Sequence, residues 1–213
     1  MLNLQGLRVV VIGAGPTGMR KVHSLLRAGA KVTVVDPKPP AGGIKIPGEV
    51  EIIADEYRSD QLAGARLVFA CTGDRGLNSR ISSDARRAGA LVNSADQPEE
   101  CDFYCPAVFQ DGDVVVAVGT GGQSAGLAVF LRDRLAGAMP ANIGKFARRL
   151  GTIRKSIRSR IDNPHQRAKV MKTLAGRQGH DAFAKDGPAG LDRLAEQLLS
   201  GVADEDPLHR DKS

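Results

Sequence analysis

The feature that most constrains the fold is a glycine-rich loop that joins an apolar run to a helix-forming segment. Residues 7–12 are apolar apart from Arg8, and they lead into Gly13-Ala14-Gly15-Pro16-Thr17-Gly18. In such a loop the first glycine permits a tight turn, the second lets the backbone approach a pyrophosphate, and the third allows a helix to pack closely on a strand. The sequence therefore predicts a buried strand, a dinucleotide-binding turn that includes Pro16 and Thr17, and a helix.

An acidic residue ends the second predicted strand. This strand begins at Lys31, and its last residue, Asp36, lies 18 residues after Gly18. A carboxylate at this position can accept hydrogen bonds from both hydroxyls of an adenosine ribose, and it repels a 2′-phosphate. The cofactor that we expect is therefore NAD rather than NADP, with Pro37 and Lys38 close to the adenosine.

Strand-like and helix-like segments alternate along the first half of the chain. The predicted strands are residues 7–12, 31–36, 50–53, 67–71 and 90–93, and the predicted helices are residues 18–28 and 77–88. Alternation of this kind is typical of an α/β fold in which helices cover both faces of a parallel sheet. The sequence thus predicts a Rossmann-type, doubly wound parallel sheet.

The second half of the chain has a different organisation. An apolar strand over residues 114–118 and an apolar helix over residues 125–135 come first, and the chain is helical and basic beyond Pro140. We therefore predict an NAD-binding domain over residues 1–112, a short segment over residues 113–140 and a small basic helical domain over residues 141–213.

Polar residues follow the fourth and fifth predicted strands. Thr72, Gly73 and Asp74 come after the fourth strand, while Asn93 ends the fifth strand and Asp96 follows it. Because ligands of such sheets bind at the carboxyl ends of the strands, we expect the first group to contact the cofactor and Asp96 to lie near the nicotinamide. The local sequence supports purely structural roles equally well, because Asp74 can cap a helix and Asp96 can form a turn.

The net charge of +6 comes from the last third of the chain. Residues 145–160 hold seven basic and no acidic side chains, and apolar residues recur among them every three or four positions from Phe146 to Ile161. This pattern predicts an amphipathic helix with a cationic face, which either attracts a polyanion or is simply solvated. Nucleic acid is not expected, because the chain has no recognition motif and only 4% aromatic residues.

Neither the cysteines nor the histidines form a metal-ligand pattern. The three cysteines give no paired motif and the four histidines lack ligand spacing, so we expect reduced structural thiols and no resident metal. The start of the chain does not resemble a secretory leader, and no apolar stretch approaches the ~18 residues of a membrane span. We therefore expect a cytoplasmic protein without a membrane segment.

Several short motifs occur together in one order. They are Gly13-x-Gly15 with Arg20-Lys21, Thr72-x-Asp74 with Asn78, Asn93-x-x-Asp96-x-Pro98, Phe103-x-x-Pro106, and Thr120-Gly121-Gly122-x-Ser124. As a set they resemble the precorrin-2 dehydrogenase and sirohydrochlorin ferrochelatase family, which includes the N-terminal module of siroheme synthase. The resemblance extends over roughly residues 1–160.

The resemblance implies an activity and an assembly. The activity is NAD-dependent oxidation of precorrin-2, a polycarboxylated tetrapyrrole, to sirohydrochlorin in siroheme or related tetrapyrrole biosynthesis. The assembly is a homodimer formed through residues 113–140, and the catalytic residue is Asp96. We place the substrate contacts at Asn93, Thr120, Gly121, Gly122, Ser124, Lys145 and Arg149. Thr120 stands where bifunctional relatives carry a serine, so the resemblance does not carry a modification of that serine over to this chain, and a regulatory role of Thr120 stays open.

Two other functions stay open at this point. The first is a bifunctional protein that also inserts iron into sirohydrochlorin, which the sequence does not separate from a dehydrogenase. The second is a non-catalytic NAD-sensing regulatory module, because such modules also begin with a glycine loop and a terminal acid. The sensing function leaves the Asp96-Gln97-Pro98 segment and the basic helix unexplained.

Overall fold

Strands and helices alternate along the first half of the chain, and helices dominate the second. The structure is a computed structural model that describes residues 2–39 and 50–204. The elements are β1 (Arg8–Ile12), α1 (Pro16–Arg27), β2 (Lys31–Val35), β3 (Val50–Ile53), β4 (Leu67–Ala70), α2 (Arg75–Arg87), β5 (Leu91–Ser94), β6 (Ala107–Asp111), β7 (Val114–Val118), α3 (Ala125–Ala138), α4 (Ile143–Arg160), α5 (Pro164–Ala175) and α6 (Arg177–Asp204). Each predicted element is present, with ends that differ by a few residues.

Five strands form one parallel sheet in the order β3-β2-β1-β4-β5. The strand order reverses between β1 and β4, because the chain first builds outward from β1 to β3 and then returns to the other side of β1. The carboxyl ends of β1 and β4 therefore lie side by side at a topological switch point, where sheets of this kind bind their ligands. The predicted Rossmann-type sheet is confirmed.

Side chains of β1 alternate between two apolar layers. Val10 and Ile12 pack in the cluster that contains Ile81 of α2, whereas Val9 and Val11 pack in the cluster that contains Val22 of α1. Both faces of the sheet are thus covered, which explains why this strand is apolar at successive positions rather than at every second one. Burying each such aliphatic side chain stabilises the fold by about 1.5–3 kcal/mol.

A buried polar contact fastens the segment after β3 to α2. Tyr57 is 7% exposed, and its hydroxyl donates a hydrogen bond to Asp84 Oδ2 at 2.8 Å. Arg87 forms an ion pair with the same carboxylate, and the Arg80 guanidinium lies 5.3 Å from the centre of the Tyr57 ring. Burial, followed by the hydrogen bond to Asp84, raises the pKa of Tyr57. The phenol is therefore a permanent donor at neutral pH.

The chain divides into two compact units between Cys105 and Pro106, with Gly121–Gln123 grouped with the first unit. The second unit begins with an antiparallel hairpin of β6 and β7, and the domain boundary predicted after residue 112 falls in the turn of this hairpin. Sequence patterns did not identify β6. Its alternate residues are only half-buried, so it lacks the continuous apolar run of the earlier strands.

Helices α4, α5 and α6 enclose the apolar core of the second unit. The stripe predicted on α4 faces this core, with Phe146, Ile153 and Ile157 buried against residues such as Leu174 and Leu191. Gly187 and Pro188 interrupt α6, so that it consists of two helical arms. Among the described residues no helix has the length and apolar content needed to cross a membrane.

The hairpin turn also holds the start of α4. Asp111 Oδ2 accepts a hydrogen bond from the backbone N–H of Gly144 at 3.0 Å, which supplies the acceptor that the side chain of the N-cap residue Asn142 does not. A Cβ atom at residue 144 would lie 2.3 Å from the Asp111 carbonyl oxygen, so only glycine fits there. Residue 111 thus fixes both the end of β6 and the first turn of α4.

The Tyr57–Asp84 contact gives a stability prediction. We expect Tyr57→Phe to lower the free energy of unfolding by about 1–3 kcal/mol, because it leaves a buried carboxylate oxygen without its donor. Urea denaturation followed by circular dichroism measures this change. Tyr104→Phe is the matched control: that ring is 49% exposed and its hydroxyl makes one 3.3 Å contact with the Pro98 carbonyl, so the loss should stay below about 0.5 kcal/mol. Equal losses in the two variants would contradict the assignment.

Candidate active site

The glycine loop lies at the switch point between β1 and β4. Gly13 has φ 97°, and its N–H donates to the Val35 carbonyl at 2.9 Å. On the other side, the N–H of Cys71 donates to the Ile12 carbonyl at 2.8 Å. A Cβ atom at residue 13 would lie 2.5 Å from the Cys71 carbonyl oxygen, which excludes every side chain. The first glycine of the motif is therefore required by the approach of two strands as well as by its φ angle.

The turn leaves the N-terminus of α1 open. Gly15 is the N-cap residue, no side chain caps the helix, and no acidic residue lies in its first turn. A Cβ atom at Gly15 would contact nothing within 4 Å, whereas one at Gly18 would lie 1.9 Å from the Gly13 carbonyl oxygen. Open space above the second glycine and unpaired N–H groups at a helix start are what a pyrophosphate requires. The loop therefore fits a dinucleotide.

Asp36 is held next to this loop. One carboxylate oxygen accepts a hydrogen bond from the backbone N–H of Ala14 at 2.6 Å, and the other accepts from the N–H of Lys38 at 2.8 Å. The side chain thus bridges the glycine loop and the turn after β2 that contains Pro37. Each oxygen keeps a further lone pair with which it can accept a ribose hydroxyl.

The segment after β4 is fixed by its own side chains. Thr72 Oγ1 donates to Asn78 Oδ1 at 2.7 Å, and Asn78 is buried under the turn. Asp74 caps α2 by accepting a hydrogen bond from the N–H of Leu77 at 3.1 Å. The helix-capping role that the sequence allowed for this residue is therefore observed. Gly73 is exposed and offers its backbone at this edge. Contact of this segment with a cofactor stays a prediction.

The aspartate after β5 has an unusual backbone conformation. Asp96 is exposed and has φ 60°, in the left-handed region that few residues other than glycine adopt. Asn93, in contrast, is 8% exposed and donates from Nδ2 to the Phe103 carbonyl at 2.9 Å. Asn93 therefore holds the loop that follows the strand, and its contact with a substrate stays a prediction.

A lysine on α1 lies near the same edge. Lys21 Nζ lies 5.7 Å from the centre of the Phe69 ring, which in turn makes an edge-to-face contact with Phe103. Burial raises the pKa of the Cys71 thiol to about 11, an effect that the charge of Lys21 opposes and that of Asp96 reinforces. A cation and a carboxylate therefore act on one thiol at the end of β4. The sequence signalled this lysine only as part of a motif, without a role.

The Thr120 loop is stabilised from within. Thr120 Oγ1 donates to the Ser124 carbonyl at 2.9 Å and accepts from the Ser124 N–H at 3.1 Å, while Ser124 Oγ caps α3 by accepting from the N–H of Leu127. Gly121 and Gly122 both have positive φ, and a Cβ atom at Gly122 would lie 3.1 Å from the Tyr104 ring. These contacts account for the residue types in the loop, and substrate binding there stays a prediction.

The cationic face of α4 is partly neutralised. Arg149 forms a two-point ion pair with Asp192, at 2.6 and 2.5 Å, and Arg160 pairs with Glu196. Arg149 is therefore engaged with α6, and its contact with a substrate stays a prediction. Over residues 2–39 and 50–204, the basic side chains of α4 that are exposed and have no ion pair are Lys145, Arg148, Arg154, Lys155 and Arg158.

No metal centre is visible in the part of the chain that the structure describes, where no three histidine, cysteine, aspartate or glutamate side chains come together to hold an ion. Cys71 is buried, Cys101 is half-buried and Cys105 is exposed, and all three are free thiols.

Comparison with known proteins identifies relatives. Residues 1–107 match a family described as "Putative NAD(P)-binding". The chain is 35% identical to a siroheme synthase of Nitrosomonas eutropha over 211 residues, covering 97% of this chain and 44% of the relative, and 36% identical to that of Methylococcus capsulatus over 206 residues, covering 95% and 42%. It thus spans less than half the length of these relatives.

One solved structure has the same fold. SirC, a precorrin-2 dehydrogenase, superimposes with a TM-score of 0.74 at 20% identity, and the match covers 92% of this chain and 98% of that one. At this identity the similarity establishes the architecture of the chain.

The second and third glycines of the loop give opposite predictions. We expect Gly15→Val to fold normally, since residue 15 has φ −67° and its Cβ meets open space, but to bind dinucleotide at least about tenfold more weakly because its side chain fills the phosphate position. We expect Gly18→Ala to lose about 1–3 kcal/mol of stability because its Cβ meets a backbone oxygen. Thermal melting and calorimetric titration with NADH measure both. Normal binding by Gly15→Val would exclude this loop as the phosphate site.

Proposed function

The chain belongs to the NAD(P)-binding family and is a relative of the siroheme synthases, and on that basis we propose that it oxidises precorrin-2 to sirohydrochlorin with NAD. The observation that carries the proposal is a pair of carboxylates, Asp36 and Asp96, on loops that follow β2 and β5 of one sheet. The Asp36 carboxylate can accept hydrogen bonds from a ribose, and the Asp96 carboxylate can accept a proton.

The reaction removes two electrons and two protons from the macrocycle. When bound, NAD accepts a hydride, which carries both electrons and one proton. The second proton goes to Asp96, whose carboxylate is exposed at the same edge of the sheet. The products are sirohydrochlorin and NADH, and release of the proton from Asp96 to water restores the carboxylate.

Asp36 supports NAD as the cofactor rather than NADP. Its carboxylate is fixed by the N–H groups of Ala14 and Lys38, so it cannot easily swing away from a ligand at the glycine loop. A 2′-phosphate placed there would meet this fixed negative charge, whereas two ribose hydroxyls would donate to it.

The exposed cations of α4 support a polycarboxylated substrate. Five basic side chains from Lys145 to Arg158 have no ion pair within the described residues, and precorrin-2 carries carboxylates around its rim. An uncompensated positive face raises the local concentration of such an anion. Arg149, which is paired with Asp192, contributes by holding α4 against α6.

We also propose a homodimer formed through α3. Five apolar side chains of this helix are each at least 38% exposed: Leu127, Val129, Phe130, Leu131 and Leu135. It packs on the hairpin through Ala128. Neighbouring exposed apolar side chains of this kind are typical of a protein interface, and the same helix of a second chain offers a self-complementary surface.

An anaerobic assay tests the oxidation. Purified protein is mixed with precorrin-2 and either NAD or NADP, and both the absorbance of NADH and that of sirohydrochlorin are followed. We expect the two signals to rise together, and faster with NAD. Binding of NAD without either signal would contradict the oxidation and favour a sensing module. A further change on adding ferrous iron, above the rate without protein, would show that the chain also inserts the metal.

Variants of aspartate test the proton acceptor. Asp96→Asn cannot accept the proton and should lower kcat by at least about a hundredfold while leaving the affinity for NAD unchanged. Asp113→Asn, which removes an exposed carboxylate from the hairpin turn, is the matched control and should be fully active. Substantial turnover by Asp96→Asn would mean that residue 96 only orders the macrocycle.

Light scattering after size exclusion tests the dimer. We expect the wild-type chain to have twice its 22.5 kDa mass and Phe130→Asp to have the monomer mass, because the charge would be buried in the interface. Leu2→Asp, at a residue that is 64% exposed in the first unit, should remain a dimer. A dimeric Phe130→Asp protein would exclude α3 as the interface.

A further inference from the structure

The left-handed conformation of Asp96 requires a cause. At φ 60° the Cβ atom lies close to the following carbonyl oxygen, which costs free energy even for aspartate, a residue that tolerates this region better than most, and contacts of the surrounding chain stabilise such a conformation. Asp96 itself is exposed, so the restraint must come from its neighbours in the chain. Two of them, Gln97 and Cys101, are tied into the fold around it.

Gln97 anchors the turn from beneath. Its side chain is 5% exposed, which is unusual for a glutamine. Ser94 Oγ donates to Gln97 Oε1 at 3.2 Å, and Gln97 Nε2 donates to Ser79 Oγ at 3.1 Å. The Gln97 amide thus joins Ser94, at the end of β5, to Ser79 of α2. In the sequence, Asp96 lies between Ser94 and Gln97.

Cys101 closes the turn from the other side. The N–H of Ser94 donates to Cys101 Sγ at 3.2 Å, and the carbonyl oxygens of Ser94 and Gln97 lie 3.3 and 3.4 Å from the same sulfur. The thiol therefore contacts the backbone on both sides of Asp96. Burial raises its pKa, so the sulfur keeps the proton that it donates.

The chain beyond the thiol is fixed to β5. The N–H of Asp102 donates to the Val92 carbonyl at 2.8 Å, and its carboxylate accepts from the Val92 N–H at 2.9 Å and from Arg86 Nε at 3.0 Å. Both ends of the loop are therefore anchored to the sheet, and Cys101 is held in place from the far end.

We propose that Gln97 and Cys101 are positioning residues that hold the Asp96 carboxylate in its reactive orientation. The inference rests on the proposed function, in which Asp96 accepts the proton. Loss of either contact lets residue 96 relax to a right-handed or extended conformation, which swings its carboxylate away from the position it now occupies. A displacement of about 1 Å is enough to slow a proton transfer by one or two orders of magnitude.

A double-mutant cycle tests the proposal. We expect Gln97→Ala to lower kcat about tenfold or more with no change in the KM for NAD, and to lower the residual kcat of Asp96→Asn by less than about twofold, because the two residues act through one carboxylate. Gln178→Ala, which removes an exposed glutamine from α6, should leave kcat unchanged. Equal losses in both backgrounds would overturn the proposal.

Cys101 gives an independent series. Cys101→Ser keeps a donor and an acceptor and should retain most of the wild-type kcat, whereas Cys101→Ala should lose as much as Gln97→Ala. Thermal melting identifies any variant that fails to fold. If Gln97→Ala fails to fold, Ser79→Ala replaces it in the double-mutant cycle, because this variant removes only one of the two side-chain hydrogen bonds of Gln97. Equal activity of the serine and alanine variants would overturn the role of the thiol.

A crystal structure separates this inference from the proposed function. If the wild-type chain forms no NADH, the oxidation is wrong, and the φ angle of residue 96 still tests the positioning role. We expect a positive φ in the wild-type chain and a negative φ in Gln97→Ala. A positive φ in both would overturn the inference even in an active enzyme.

Discussion

The close approach of β1 and β4 is the constraint on which the candidate site depends. The space between the end of β1 and the Cys71 carbonyl is too small for any Cβ atom at residue 13, so glycine there lets the two strand ends stand side by side. The glycine loop leaves one end and the Thr72 segment leaves the other. A larger residue would separate the two strand ends and displace the loops that follow them.

The two units place their charged groups by different means. In the first unit, backbone N–H groups fix the Asp36 carboxylate, and the buried Gln97 amide and the half-buried Cys101 thiol form hydrogen bonds on either side of Asp96. In the second unit, acidic residues of α6 neutralise two arginines of α4 and leave other cations exposed. A fixed position matters most for a carboxylate that accepts a proton or a hydrogen bond from a hydroxyl, because the donor must reach one oxygen atom. Attraction of a polyanion requires only an excess of positive charge.

Sequence patterns predicted the features that depend on nearby residues. The strands, the glycine turn and the position of Asp36 follow from apolar runs and from spacing, and the sheet that they imply is confirmed. The pairing of Arg149 with Asp192 joins residues 43 positions apart on different helices, so no spacing rule could reveal it. The segment Asp96-Gln97-Pro98 indicated a turn but not the φ angle of Asp96, and the contacts of Gln97 with Ser79 and Cys101 join residues that no local pattern relates.

The hydrogen bond from Ala14 to Asp36 has a kinetic consequence. It ties the glycine loop to the end of β2 through groups of the protein alone, so part of the conformational entropy of the loop is lost during folding. A ligand that enters such a preformed loop does not have to order it, and more of the contact energy remains as affinity. Association is then governed by diffusion and by the orientation of the encounter rather than by a slow rearrangement of the loop.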